Sequence, residues 1–219
     1  GAHSATVGDA TIYEAALGGK TADLPSQLSL MEVRELAQSL QRPMPELFVT
    51  SLAMNSARRP DGTPADDRIR ENAGAAWTAA ALLSSTCSVD KALHYKLFGI
   101  GWGLLNSRGV PNPSFHAAWL LHTYAPRGAT LCEFVMPSAE VLIAAIWTPT
   151  ARNAFVVHMG DGARTVVIEA AGVGTPVSVR ERRLTSSGEM QMADLPKSAT
   201  QSVEFNGPGV AVIQFIGGE

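Results

Sequence analysis

Lys91-Ala92-Leu93-His94-Tyr95-Lys96-Leu97-Phe98-Gly99, followed by Gly101-Trp102-Gly103-Leu104-Leu105-Asn106-Ser107-Arg108-Gly109-Val110-Pro111-Asn112-Pro113 and then Ser114-Phe115-His116-Ala117-Ala118-Trp119-Leu120-Leu121, is the stretch whose reading decides the fold. Residues 92–98 are short, apolar and aromatic, and Gly99 and Gly101 close them, which predicts a buried strand. Residues 101–113 are dense in Gly, Pro and Asn and predict a loop. Ser114 can cap a helix, along which Phe115, Ala118, Trp119 and Leu121-His122 recur at helical spacing.

Upstream, the same grammar repeats. Residues 1–28 read as a loop with at most one helical turn, around residues 13–17. Residues 29–40 predict a helix: Ser29 as N-cap, Glu32 as its capping-box partner, and a stripe of Leu30, Val33, Leu36-Ala37 and Leu40. Pro43 and Pro45 end it. Residues 47–50, Leu-Phe-Val-Thr, predict a buried strand, and residues 51–64 a loop. Asp66-Asp67 then open a helix to about Ser84, since carboxylates suit the positive end of the helix dipole. Ala75-Ala76, Ala79-Ala80 and Leu83 give it a face of small residues that can pack closely on a sheet. Helix, strand, helix, strand, helix argues a parallel sheet with crossover connections.

Downstream of Pro126-Arg127-Gly128 the pattern changes. Residues 130–135, 141–147, 154–158, 165–168, 176–184, 189–192, 202–205 and 210–216 are short β runs. Gly, Pro, Asp and Asn punctuate them at about 8–12-residue spacing, as in an antiparallel sandwich. The fold class expected is therefore α/β plus all-β: a partial (β/α) barrel segment over residues 1–126, followed by an antiparallel β-sandwich over 127–219.

Composition excludes several function classes. The chain has 219 residues, 46% hydrophobic and 17% charged, with a net charge of −3. That is enough to bury a sizeable core. It shows no basic patch for nucleic acid and no apolar run of membrane-spanning length. Arg180, Arg182 and Arg183 cluster, but Glu181 stands among them, and the run reads as a solvated strand face. Cys87 and Cys132 read as buried free thiols rather than a pair, which leaves the redox compartment open. His3, His94, His116, His122 and His158 lack zinc-ligand spacing. Gly160-Asp161-Gly162 reads as a hairpin turn, not a phosphate cradle. No metal or cofactor is implied.

The strand, the Gly-Leu-Leu loop running to Pro111-Asn112-Pro113 and the helix opening Ser114-Phe115-His116-Ala117 resemble the last βα unit of a TIM-barrel retaining glycoside hydrolase. The relevant type carries a C-terminal β-sandwich, as in β-xylosidase, α-L-iduronidase and heparanase relatives. The resemblance covers residues 45–124 best. A full barrel needs eight βα units and roughly 250 residues, so it implies only the last two or three units. His3 would then end the sixth strand, where these enzymes often read His-x-Tyr; Ala5 stands in place of Tyr. The missing barrel half would come from a second chain or an N-terminal portion, with a carbohydrate as substrate.

In the resembled families the seventh strand ends in Thr-Glu, and the Glu is the nucleophile. This sequence reads Phe48-Val49-Thr50-Ser51-Leu52-Ala53-Met54-Asn55, so Ser51 occupies the nucleophile position. A retaining glycosidase needs two carboxylates about 5–5.5 Å apart, and serine without a base is a poor nucleophile. Three readings stay open: a binding subunit or pseudo-enzyme, a replaced nucleophile, or Ser51 as an ordinary loop cap. Candidate substrate-binding residues are His3, Asn55, Tyr95, Lys96 and Trp102. Asn55 follows the nucleophile position, and Tyr95 and Lys96 alternate on the last strand beside His94. Trp102 offers a face for stacking a pyranose. Two other functions compete with the glycosidase reading. One is a non-catalytic binding or structural sandwich, although Phe134, Trp147, Phe155, Phe205 and Phe215 mostly look inward. The other is a Ser-Lys hydrolase pairing Ser51 with Lys91 or Lys96.

Overall fold

The computed structural model describes residues 2–3, 35, 38–42, 48–54, 59–63, 66–85, 91–94, 97–99, 103–171 and 174–217. The chain divides into two compact units. The first comprises Gly1–Arg70 with Ala80–Asn112, the second Glu71–Ala79 with Pro113–Glu219.

The first unit holds a parallel sheet of β1 (Ala2–His3), β2 (Phe48–Ala53) and β3 (Lys91–His94), in that order. The parallel pairing expected from the alternation is present. Two strand ends differ from the sequence reading. β2 runs on through Ser51 to Ala53, so Ser51 lies inside the strand and not in the following loop. β3 stops at His94, and Phe98 keeps just an isolated bridge to Leu105. The reason is competition for backbone groups. Leu105 donates its N–H to the Leu97 carbonyl at 2.8 Å, and Gly99 donates to Leu105. Leu97 and Phe98 are accordingly exposed rather than buried. The rest of that loop is held just as closely: Asn106 Oδ1 accepts from the Arg108 and Val110 amides, and Asn112 Nδ2 donates to the Gly103 carbonyl at 2.7 Å.

The helix expected from Asp66 begins later. Asp67–Arg70 is a 3-10 turn, and α1 runs over Asn72–Ser85. The two aspartates serve the turn and not the helix dipole. Asp66 accepts from the Arg68 amide and guanidinium, and Asp67 pairs with Arg59 and Arg70. In α1, Ala75, Ala76, Ala79, Ala80 and Leu83 are fully buried, as is nearly all of Trp77.

The second unit is a two-layer sandwich. Its large sheet has six strands in the order β4 (Thr130–Ser138), β5 (Val141–Trp147), β6 (Ala151–His158), β11 (Gly209–Ile216), β8 (Ser178–Leu184), β9 (Met190–Leu195). Its small sheet pairs β7 (Ala163–Glu169) with β10 (Thr200–Asn206). All eight β runs read from the sequence are strands. The turn at Gly160-Asp161-Gly162 is not a hairpin, however: β6 and β7 lie in different sheets, so this turn carries the chain between layers. The return crossing, from β10 to β11, is tied to it by His158, whose Nδ1 lies 2.9 Å from the Gly207 carbonyl. Gly207 takes φ +142°, a conformation that favours glycine.

Between the sheets lies a core built on Val156, Val166, Ile168, Val203, Ile213 and Phe215. Glu181 and Arg183 also point into this layer, opposite Ile213 and Ala211. They form an ion pair at 2.6 Å, so this part of the arginine run is half-buried and not a solvated face.

The other face of the large sheet is buried too, at Leu142, Ala144, Phe155, Val157, Val210 and Val212. α2 (Pro113–Tyr124) packs within this unit: Asn153 Nδ2 donates to the Tyr124 carbonyl at 2.7 Å. Pro113 is the first helical residue, which suits its fixed φ, and Ser114 is buried inside the first turn rather than capping it. Ala117, Leu120 and Tyr124 turn inward, whereas Trp119 of the expected stripe is 40% exposed. Cys132 is an exposed free thiol and not a buried one, because β4 is an edge strand. Cys87 lies outside the described residues.

Candidate functional site

In a parallel sheet the strand ends that carry chemistry are the carboxyl ends. Here the register sets three of them side by side. His3 is level with Ala53, and Leu52 is level with both Ala2 and His94. Adjacent strands lie roughly 4.8 Å apart, so His3, the segment from Ser51 to Ala53 and His94 form one short edge.

The β2–β3 ladder slips within this edge. Val49 opposes Ala92 and Leu52 opposes His94, so Thr50 and Ser51 together oppose Leu93 alone. That two-against-one count is a β-bulge, a device that bends a strand and re-aims a side chain at barrel rims and beside active sites. It falls at the residue that the resemblance placed at the nucleophile position.

His94 stands out by its environment. Both ring nitrogens are buried without a hydrogen-bond partner among the described residues. Burial alone pushes its pKa from the usual 6.5 down to about 4, so the imidazole is neutral at physiological pH. Among the described residues no polar group partners this imidazole at the carboxyl end of β3. Sequence reasoning passed it over in favour of Tyr95 and Lys96. The one local signal was a histidine closing the apolar pair Ala92-Leu93.

Asn55, Tyr95, Lys96 and Trp102 lie outside the described residues. Lys91 enters the sheet opposite Phe48, three residues of strand before His94, which is about 10 Å from the carboxyl edge. Among the described residues no group of three or more His, Cys, Asp or Glu side chains could hold a metal ion. No helix among them is long and apolar enough to cross a membrane.

No protein-family model matches the chain, and no curated protein matches its sequence. Solved structures do match its fold. The α-L-arabinofuranosidase of Thermotoga maritima superposes with a TM-score of 0.67 at 14% identity, over 98% of this chain and 52% of that one. A GH30 endoxylanase from Clostridium papyrosolvens gives 0.64 at 13% identity, over 86% and 46%. A monomeric β-xylosidase from Caulobacter crescentus gives 0.55 at 13%, over 88% and 50%. The chain thus has the fold of the C-terminal part of these glycoside hydrolases, and spans about half their length.

Proposed function

We propose that this chain forms the closing strands and accessory sandwich of a retaining glycoside hydrolase, with the edge from Ser51 to His94 as part of its sugar site. The observation that carries the reading is the bulge at Ser51 on the carboxyl end of β2, beside the unpaired His94. In this reading residues 1–126 belong to the barrel and residues 127–219 to the sandwich. The remaining barrel strands come from polypeptide beyond these residues, either a second chain or an N-terminal portion, and bring the acid/base carboxylate.

Ser51 stands where a carboxylate would attack the anomeric carbon. A hydroxyl cannot balance an oxocarbenium-like charge as a carboxylate does. The site therefore binds a glycoside and hydrolyses it slowly. Xylose- and arabinose-containing glycosides are the first to try, because xylanase, xylosidase and arabinofuranosidase are what the superposing structures are named for. The Ser-Lys alternative gains nothing from Lys91, which enters the sheet well below the edge.

The test is Ser51→Glu in the chain together with its completing barrel half. Xylo-oligosaccharide and aryl glycoside binding is followed by calorimetry, and cleavage by release of the aryl group. Binding by the unmodified protein, with cleavage gained in the variant, supports the reading. Absence of sugar binding in both proteins refutes it.

A further inference from the structure

Within the second unit, α2, β8 and the edge strand β9 flank an open groove of about 400 Å³, lined by Phe115, His116, Trp119, Arg182, Met190 and Met192, with Gln191 beside them. The volume falls in the range of small-molecule sites. Four of these side chains are aromatic or thioether surfaces. Trp119 is 40% and Met192 59% exposed, so the groove opens to solvent on an apolar rim. No carboxylate lines it.

Arg182 is the feature that needs an account. β8 carries three arginines, and two of them have acidic partners: Arg180 pairs with Asp194 at 3.3 Å, and Arg183 with Glu181. Arg182, which lines the groove, has no carboxylate partner among the described residues. A guanidinium is built to grip a carboxylate through two parallel hydrogen bonds. His116 faces the same space half-buried, and burial lowers its pKa, so near neutral pH it adds a hydrogen-bonding ring and no second charge. Phe115 and Trp119 supply flat faces. Met190 and Met192, on the strand paired with β8, supply soft surface that adapts to a ring.

We infer that this groove is a binding site for a small aryl monocarboxylate, its ring held among Phe115, Trp119 and the two methionines and its carboxylate on Arg182. This site is separate from the strand edge described above and does not rest on the glycosidase reading. The alternative of a hydroxylated ring is disfavoured because, beside Arg182, only Gln191 and His116 among the lining side chains could bond its hydroxyls.

The test uses the 219-residue chain and phenylacetate as probe, by isothermal titration calorimetry. Phenylacetamide serves as the neutral counterpart and glucuronate as the hydroxylated ring of the same charge. Two variants accompany it. Arg182→Gln removes the charge. Met192→Glu, at an exposed position directly opposite Arg182 in the β8–β9 ladder, gives Arg182 an internal carboxylate without emptying the core. The expected result is saturable binding of phenylacetate, weakened about ten- to hundredfold in phenylacetamide, in glucuronate and in both variants. Binding of phenylacetate unchanged in M192E and R182Q overturns the inference. So does equal binding of phenylacetamide or glucuronate, or the absence of phenylacetate binding to the folded chain at about 10 mM, where even a site of millimolar affinity is mostly filled.

Discussion

Among the described residues of the first unit, acidification should act first through His94, in a window that separates it from the carboxylates. Its folded pKa of about 4 lies below the ordinary 6.5 because burial disfavours the imidazolium, and no neighbouring charge contributes. As the pH falls, the unfolded chain therefore takes up the proton first. The stabilisation is fully present above about pH 6.5, is lost progressively down to about pH 4, and changes no further below that. A depression of roughly 2.5 units at 1.36 kcal/mol each amounts to about 3 kcal/mol, a large part of a small unit's stability. Asp61, Asp66 and Asp67 have pKa values lowered from 3.8, with hydrogen bonds from Thr63, Arg68 and Arg59 respectively as the leading causes. Their contributions are lost below that value, under the His94 window. The assay is a denaturant midpoint measured from pH 7.5 to 4 for the native chain and His94→Leu, with the imidazole Cε1 proton resonance followed by NMR. His94→Leu should be near neutral at pH 7, since it removes a buried polar ring with no partner among the described residues, and should remove the His94 part of the stability loss between pH 6.5 and 4, leaving the part due to His116, whose pKa burial also lowers. An NMR titration midpoint near 6.5, or an identical pH slope in the two proteins, would refute the reasoning: His94 would then be solvated or paired.

Three further outcomes test the sandwich. Phe155 is fully buried on β6, so Phe155→Ala should cost about 3–5 kcal/mol in urea unfolding. Arg183→Met should cost about 3–5 kcal/mol, because it strands Glu181 half-buried between the sheets. The double change with Glu181→Met should recover most of that loss, and a double-mutant cycle in the same assay reads the difference. Gly188 has φ +78°, and a Cβ there would lie 2.9 Å from Pro113 Cγ. Gly188→Ala should therefore cost about 1–3 kcal/mol, visible as a lowered thermal midpoint.

How far the sequence can be read depends on whether a signal is local. The eight sandwich strands were legible because strand alternation and Gly, Pro, Asp and Asn punctuation are written within each segment. The end of β3 was not, because Leu97 and Phe98 look like strand residues and are drawn out of the sheet by Leu105, whose pairing no local pattern announces. Ser51 could be singled out by resemblance, yet the bulge beneath it depends on the register against Leu93. His94 stayed silent because its chemistry comes from what surrounds it and not from its neighbours in sequence.

The sheet crossings show where a closer reading of pattern would have succeeded. Thr200-Gln201-Ser202-Val203-Glu204-Phe205-Asn206 alternates strictly, with Gln201, Val203 and Phe205 buried and the residues between them exposed. Such a strand has one covered face, which fits the two-stranded sheet. Gly209-Val210-Ala211-Val212-Ile213 is apolar without a break and buried throughout, as a strand covered on both faces must be. β7 and β6 show the same contrast, with an exposed–buried alternation over Val166 to Glu169 against an unbroken buried run from Asn153 to His158. A change of pattern across a Gly-containing turn therefore marks a change of layer. The β5–β6 hairpin within the large sheet joins two largely buried strands, whereas the turns at Gly160-Asp161-Gly162 and Gly207 join unlike strands. At these two crossings the patterns on either side of the turn, more than the turn residues themselves, distinguish the two layers.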